Sequence, residues 1–285
     1  MTPGLRWVKG HGTENDFLLL PDPQALLDLS PALVQALCDR HAGLGADGVL
    51  RLVPSVGDPA AAALAAQARW FMDYRNADGS IVEMCGNGIR VFARYLVDEG
   101  LAEPGELRVA TRAGVKTVWL DLAGDVTVDM GEPAMIDARP VVGEAPATAV
   151  SMGNPHVVVR LAAGVPGADA LSRLDLSHPP VVAPPLPNGQ NVEFVVRTGP
   201  RALAVRVHER GVGETRSCGT GVCAAVVATV QVERTGRGEP WTVDVPGGRL
   251  SVTWTEPGPV LLTGPAVLVA EGRLHAGWAA AATGG

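Results

Sequence analysis

Two short runs constrain this chain more than anything else in it: Cys85-Gly86-Asn87-Gly88 and Cys218-Gly219-Thr220-Gly221, about half of the 285-residue chain apart. Each opens a stretch of helical character, about Gly88 to Glu99 in one case and about Gly221 to Glu233 in the other. Nine residues before each cysteine stands a polar side chain, Asn76 or Glu209. The match predicts an internal repeat: two similar halves, each presenting Cys-Gly-x-Gly at a helix start.

Elsewhere the pattern is mostly strand. Polar and apolar residues alternate in Trp70–Tyr74, Val115–Leu122, Val126–Met130, Val157–Leu161, Val192–Val196, Leu203–His208, Trp241–Val245, Leu250–Thr255 and Ala266–Glu271. Ala123-Gly124-Asp125 reads as the turn of a hairpin. Ser30-Pro31 reads as an N-cap followed by proline at the first helical position, opening a helix that ends near Gly43. Strands outnumber helices, which predicts an α+β fold with mixed sheets. A boundary is expected near Gly131-Glu132-Pro133, with the last strand returning to the first half. The expected domains are 1–130 with about 266–285, carrying Cys85, and 131–265, carrying Cys218.

Composition narrows the function. At 47% hydrophobic and 19% charged the chain can bury a sizeable core, and a net charge of −7 argues against a general nucleic-acid surface. No apolar run is long enough for a membrane helix, and Met1–Gly10 has no signal-peptide core, so a cytosolic location with reduced thiols is expected. Cysteines at 38, 85, 218 and 223 form no Cys-x-x-Cys. No metal, membrane or nucleic-acid partner is expected. Cys38 falls on an apolar helix face with Leu33, Val34 and Leu37, and Cys223 lies past the tip of its helix, so both are expected in the core.

A cysteine just before a helix sits against backbone N–H groups that have no partner within the helix, at the positive end of its dipole. That environment favours the thiolate and is expected to bring the thiol down from its ordinary range. The same N–H groups suit a carboxylate, and glycine lets the backbone approach it closely. Two such starts are enough to hold one α-carboxylate with a thiol on each side of its Cα. Inverting an amino-acid centre needs that pair: a base on one face and an acid on the other, with no cofactor. Preorganised donors must stabilise the charge that develops on the carboxylate.

At these residues the chain resembles the diaminopimelate epimerase family, across nearly its whole length. The matching runs are His11-Gly12-Thr13-Glu14-Asn15-Asp16-Phe17, Gly43-Leu44-Gly45-Ala46-Asp47-Gly48, Asn76-Ala77-Asp78-Gly79-Ser80, Met84-Cys85-Gly86-Asn87-Gly88, Gly153-Asn154-Pro155-His156, Asn191-Val192-Glu193-Phe194 and Glu209–Thr215 with Ser217–Gly221. The resemblance implies two pseudo-symmetric domains, each a curved mixed or antiparallel sheet around a central helix, with the active site in the cleft between them. It implies cofactor-free conversion of LL- to meso-diaminopimelate, in lysine and peptidoglycan precursor synthesis. Cys85 and Cys218 are then the acid/base pair, and His156 and Glu209 assist their ionisation. Gly86, Asn87, Gly219 and Thr220 hold the reacting carboxylate through backbone donors. Asn15, Asn76, Asn154, Asn191 and Arg210 recognise the rest of the substrate. A homodimer is a further expectation carried by the family. One departure stands out: Gly48 occupies a position where many relatives carry Gln.

Two other readings make different demands. A proline or hydroxyproline racemase also uses two cysteines, but it has no use for Arg210 and several asparagines around a second amino-acid centre. A redox protein switched by a Cys85–Cys218 disulfide needs no substrate-recognition residues at all.

Overall fold

The computed structural model describes residues 4–161, 167–275 and 277–278. The chain forms two compact units, Met1–Val128 with Pro265–Gly285, and Asp129–Gly264. In the first, β1 (Arg6–Gly12) and β2 (Asn15–Pro21) are followed by α1 (Pro31–Cys38), β3 (Gly48–Pro54), β4 (Trp70–Asn76) and β5 (Ile81–Val82). Then come α2 (Gly86–Asp98), β6 (Gly105–Thr111), β7 (Gly114–Leu120) and β8 (Val126–Asp129). The second unit runs through β9 (Ala134–Met135), β10 (Val141–Val142), β11 (Ala145–Ser151), β12 (Pro155–Arg160), α3 (Gly167–Ser172), β13 (Val182–Ala183) and β14 (Asn191–Gly199). It continues with β15 (Ala202–Glu209), β16 (Gly213–Thr215), α4 (Gly219–Glu233), β17 (Pro240–Val245), β18 (Gly248–Trp254) and β19 (Val260–Gly264). The last described strand, β20 (Val267–Arg273), pairs antiparallel with β1 in the first unit.

The two units share one pairing series. In the first, β1–β2 is antiparallel, β2–β3 parallel, β3–β4 antiparallel, β4–β6 parallel and β6–β7 antiparallel. In the second, β11–β12, β12–β14, β14–β15, β15–β17 and β17–β18 repeat those senses in the same order. Each parallel step contains a helical crossover, as parallel neighbours require. The fold is α+β with mixed sheets, and each Cys-Gly-x-Gly tetrapeptide begins the helix of its unit's second crossover.

Several strands are covered on both faces. In β2 and β3, Leu18, Leu20 and Val49 pack on Leu33, Val34, Leu37 and Cys38 of α1, whereas Phe17 and Leu50 line the face under Gly88 of α2. In the second unit, Val157, Val159, Val192, Phe194 and Val196 pack with Leu171 of α3, and the opposite face meets α4. Helix α4 is apolar all round and buried from Val222 through Val230, as a helix enclosed by a sheet must be. Each such valine contributes about 1.5–3 kcal/mol by burial.

α1 ends at Cys38, not near Gly43. Ser30 caps its start by accepting from Leu33 N at 3.2 Å. At Asp39 the backbone leaves the helix (ψ 124°), and the side chain accepts from His41 N and Ala42 N. An aspartate that bonds its own downstream N–H groups competes with helix continuation. Among the described residues no helix is long and apolar enough to cross a membrane.

Candidate active site

Cys85 is the N-cap of α2, and its Sγ accepts from Gly88 N at 3.3 Å while its carbonyl accepts from Ile89 N. Cys218 caps α4 in the same way: Sγ accepts from Gly221 N at 3.4 Å and the carbonyl from Val222 N. Both residues are extended in backbone, as N-caps are. The expected helix starts lie two residues too late, because each tetrapeptide's first glycine is already helical.

Around Cys85 the structure gathers Asn15, Asn87 and Arg90. Asn15 Oδ1 lies 3.9 Å from Cys85 Sγ and accepts from Asn87 Nδ2 at 3.1 Å. Asn15 Nδ2 donates to Asp47 at 2.8 Å, which fixes the orientation of the amide. Asn15 begins β2, straight after a two-residue turn in which Thr13 (φ 51°) and Glu14 (φ 60°) both adopt left-handed conformations. That is the requirement of a tight hairpin and a strained position for a β-branched residue. Arg90, fully buried, donates to Thr13 Oγ1, Asn87 Oδ1, Gly86 O and Pro265 O. Gly12 leaves room for it, since a Cβ there would stand 2.8 Å from Arg90 Nη2. His11 accepts from Glu14 N and so shapes this turn.

Asn76 is bonded by the Tyr74 hydroxyl at 2.9 Å and donates to Ser80 Oγ. Gly48 pairs with it across β3–β4, and a Cβ at Gly48 would meet Arg75 O at 2.5 Å and Tyr74 Cε2 at 2.8 Å. The ring of Tyr74 takes the space that a longer side chain at 48 would need.

Around Cys218 the charged groups are acids. Thr215 and Cys218 both donate to Glu209, whose carboxyl is pushed up by burial and held back by those two bonds. His156, fully buried, has Nδ1 at 2.7 Å from Glu193 Oε1 and Nε2 at 3.0 Å from Asn154 Oδ1. Asn154 Nδ2 donates to Thr220 Oγ1 at 3.4 Å, and Thr220 Oγ1 stands 3.5 Å from Cys218 Sγ. The Asn191 amide accepts from Arg210 N and lies 3.5 Å from His156 Nδ1 through its nitrogen. The Arg210 guanidinium rests on Asn188 O at the surface.

Cys218 departs from the expected lowered thiol. Burial, then the carboxylates Glu209 and Glu193, push it well above the ordinary thiol range, and the donors Thr220 and Gly221 N offset only part of this. Cys38, the last residue of α1, is buried and pushed up to about 12 by burial, and Cys223 is fully buried.

Three residues at these sites were given no role of their own in the sequence: Arg90, Glu193 and Thr215. A charge inside an apolar run was the available signal for Arg90 and Glu193, since such residues are almost never fully buried without a partner.

Comparison with solved structures identifies the class of fold. The chain is similar to a phenazine biosynthesis protein of the PhzF family from Bacillus anthracis, with TM-score 0.72 at 15% identity, covering 95% of this chain and 99% of that one. It is also similar to a hydroxyproline epimerase from Agrobacterium vitis, with TM-score 0.64 at 16% identity, covering 96% and 93%. The sequence goes further. The diaminopimelate epimerase family model matches residues 7–136 and 148–269. Diaminopimelate epimerases of Streptomyces coelicolor and Thermobifida fusca are 54% and 50% identical, covering 98% and 95% of this chain and 98% of each relative. The chain belongs to the diaminopimelate epimerase family, and is an amino-acid epimerase of the isomerase class.

Proposed function

We propose that this enzyme interconverts LL- and meso-diaminopimelate by two-base proton transfer between Cys85, Cys218 and one Cα, in lysine and peptidoglycan precursor synthesis. The observation that carries the reading is the pair of thiols capping two helices in one repeated strand frame, with unlike charge around them. Cys218, surrounded by Glu209 and Glu193, starts as the thiol. Cys85 then acts as the thiolate: it takes the Cα proton, and Cys218 delivers its own proton to the opposite face. The two sulfurs end with their protonation states exchanged, and the substrate gains and loses one proton.

First-turn N–H groups at Gly86-Asn87 and Gly219-Thr220 bind the reacting carboxylate and stabilise its developing charge. Glu209 and His156 act as proton acceptors beside the thiols. Asn15, Asn76, Asn154, Asn191 and Arg210 bind the distal amino-acid centre, with Arg210 leaving Asn188 O to fork onto the distal carboxylate. The reading includes a cytosolic location and a homodimer, both supported by family resemblance; light scattering on the purified protein checks the dimer.

The test is incubation with LL-diaminopimelate in D2O under reducing conditions. Deuterium at Cα and formation of the meso isomer are expected. Absence of both, or comparable turnover of proline, overturns the proposal.

A further inference from the structure

Glu193 stands in the middle of β14 between Val192 and Phe194, and none of it is exposed. Alternation along the strand turns it away from the Phe194 core and toward α4, where a Cβ on Gly221 would lie 2.8 Å from its Oε1. Its Oε1 is bonded to His156, but Oε2 has no hydrogen-bond partner. A buried polar atom left without a partner costs about 1–3 kcal/mol, more when charged. An apolar side chain at this position avoids that cost. Fold stability therefore gives no reason for a carboxylate here.

Its neighbours do. The 2.7 Å separation from His156 Nδ1 falls within the range of charge-assisted N–H···O bonds, about 2.7–2.9 Å. From the other ring nitrogen a polar chain runs through Asn154 and the Thr220 hydroxyl to Cys218 Sγ. Burial pushes the Glu193 carboxyl up, and His156 opposes that shift. The ionisable groups interacting with Glu193 are His156 on β12, Glu209 at the end of β15 and the Cys218 thiol at the start of α4.

We infer that Glu193 is a positioning residue: it accepts the Nδ1 proton of His156, fixes the ring, and leaves Nε2 as the nitrogen turned toward the active site for proton exchange. It touches no reacting atom and acts through His156, as the third member of a nucleophile–base–orienter set does. The inference rests on the acid/base role proposed above for His156.

The test combines nitrogen-15 NMR of the histidine ring with steady-state kinetics on LL-diaminopimelate. In the wild-type protein, the nitrogen-15 spectrum is expected to show the proton on His156 Nδ1, the nitrogen that faces Glu193. Glu193→Gln is expected to lower kcat by roughly 10²-fold, within the span of acid/base assistance, while leaving KM nearly unchanged. Glu193→Asp is expected to restore part of that loss. Val195→Ala, on the same strand face, is expected to lower Tm without moving kcat, which separates positioning from packing. An unprotonated Nδ1 in the wild-type ring, or a Glu193→Gln enzyme with wild-type kcat, overturns the inference. If Glu193→Gln fails to fold, the wild-type spectrum alone decides. A wild-type enzyme that leaves LL-diaminopimelate unchanged overturns the proposed function instead, and the Nδ1 result still stands by itself.

Discussion

At the start of α2 the buried ionisable group is a guanidinium, Arg90, five residues after Cys85. At the start of α4 the same position holds Cys223, and the buried ionisable groups are the carboxyls of Glu193 and Glu209 with the ring of His156. Backbone, N-cap geometry and strand order repeat between the halves, but the charges around the thiols do not. A duplicated frame can thus present two chemically unlike sulfurs, which an enzyme needs if one is to give a proton while the other takes one.

The largest effect is expected from the sulfurs themselves. Cys85→Ser and Cys218→Ser should each lower kcat by about 10³-fold or more, at the upper end of acid/base catalysis. If either retains near wild-type turnover in the D2O assay, that cysteine has no place in the two-base scheme.

Next comes the buried cation. Arg90→Lys keeps the charge but loses the planar fork, leaving oxygens of Thr13, Asn87, Gly86 or Pro265 short of donors. With about 1–3 kcal/mol per unsatisfied buried group, a loss of about 3 kcal/mol is expected. That corresponds to a Tm lower by roughly 6–12 °C for a protein of this size, measured by differential scanning calorimetry. A small Tm change would mean that Arg90 is not what holds the Thr13 turn.

A matched pair of alanines sharpens the contrast. At Gly221 the new Cβ meets Glu193 Oε1 at 2.8 Å and Cys218 Sγ at 3.3 Å; at Gly88 the nearest atom is Leu50 Cδ2 at 3.2 Å. Gly221→Ala should lower kcat about ten-fold more than Gly88→Ala, a difference of about 1.4 kcal/mol in barrier. Equal losses would show that the carboxylate side is no more constrained than the apolar side.

The smallest effect is a difference in pH response. In the first unit burial pushes Asp73 up, but Arg75 and Arg112 outweigh it and hold it below its ordinary 3.8. Asp22 is likewise lowered, burial being outweighed by Leu26 N, Arg51 and Leu27 N. These lowered groups stabilise the folded unit above 3.8, and the contribution fades as pH falls through their folded values. Cys218 has the opposite sign: its stabilisation is present below the ordinary thiol value of 9.0 and fades as pH rises toward the raised folded value. On the acid side hydrogen exchange should therefore lose protection first in residues 4–128; on the alkaline side, where Cys38 of the first unit is raised as well as Cys218 of the second, that order is lost. The same order at both extremes would break the comparison.

Much of the frame was legible in the sequence. Alternating strands such as Val126–Asp129 and Ala202–Glu209 announce themselves because one of their faces is more buried than the other. β2 and β3 do not, because α1 and α2 cover both faces and the run Phe17-Leu18-Leu19-Leu20 carries no period. The two cysteines were legible as helix starts from glycine spacing alone. The raised thiol of Cys218 was not, since its largest cause is burial, set by tertiary packing, and Glu193 reaches it from a strand distant in sequence. Tyr74 filling the space beside Gly48 was hidden for the same reason.

The antiparallel pairing of β20 with β1 has a consequence for the nascent chain. The unit spanning Asp129–Gly264 is continuous in sequence, so all of its strands have left the ribosome before β20 emerges. The unit carrying Cys85 is translated first, yet β1 keeps an open edge until the final strand arrives. The thiol made earliest thus belongs to the half whose sheet is closed last, and that unfinished edge is where misassembly during synthesis is most exposed.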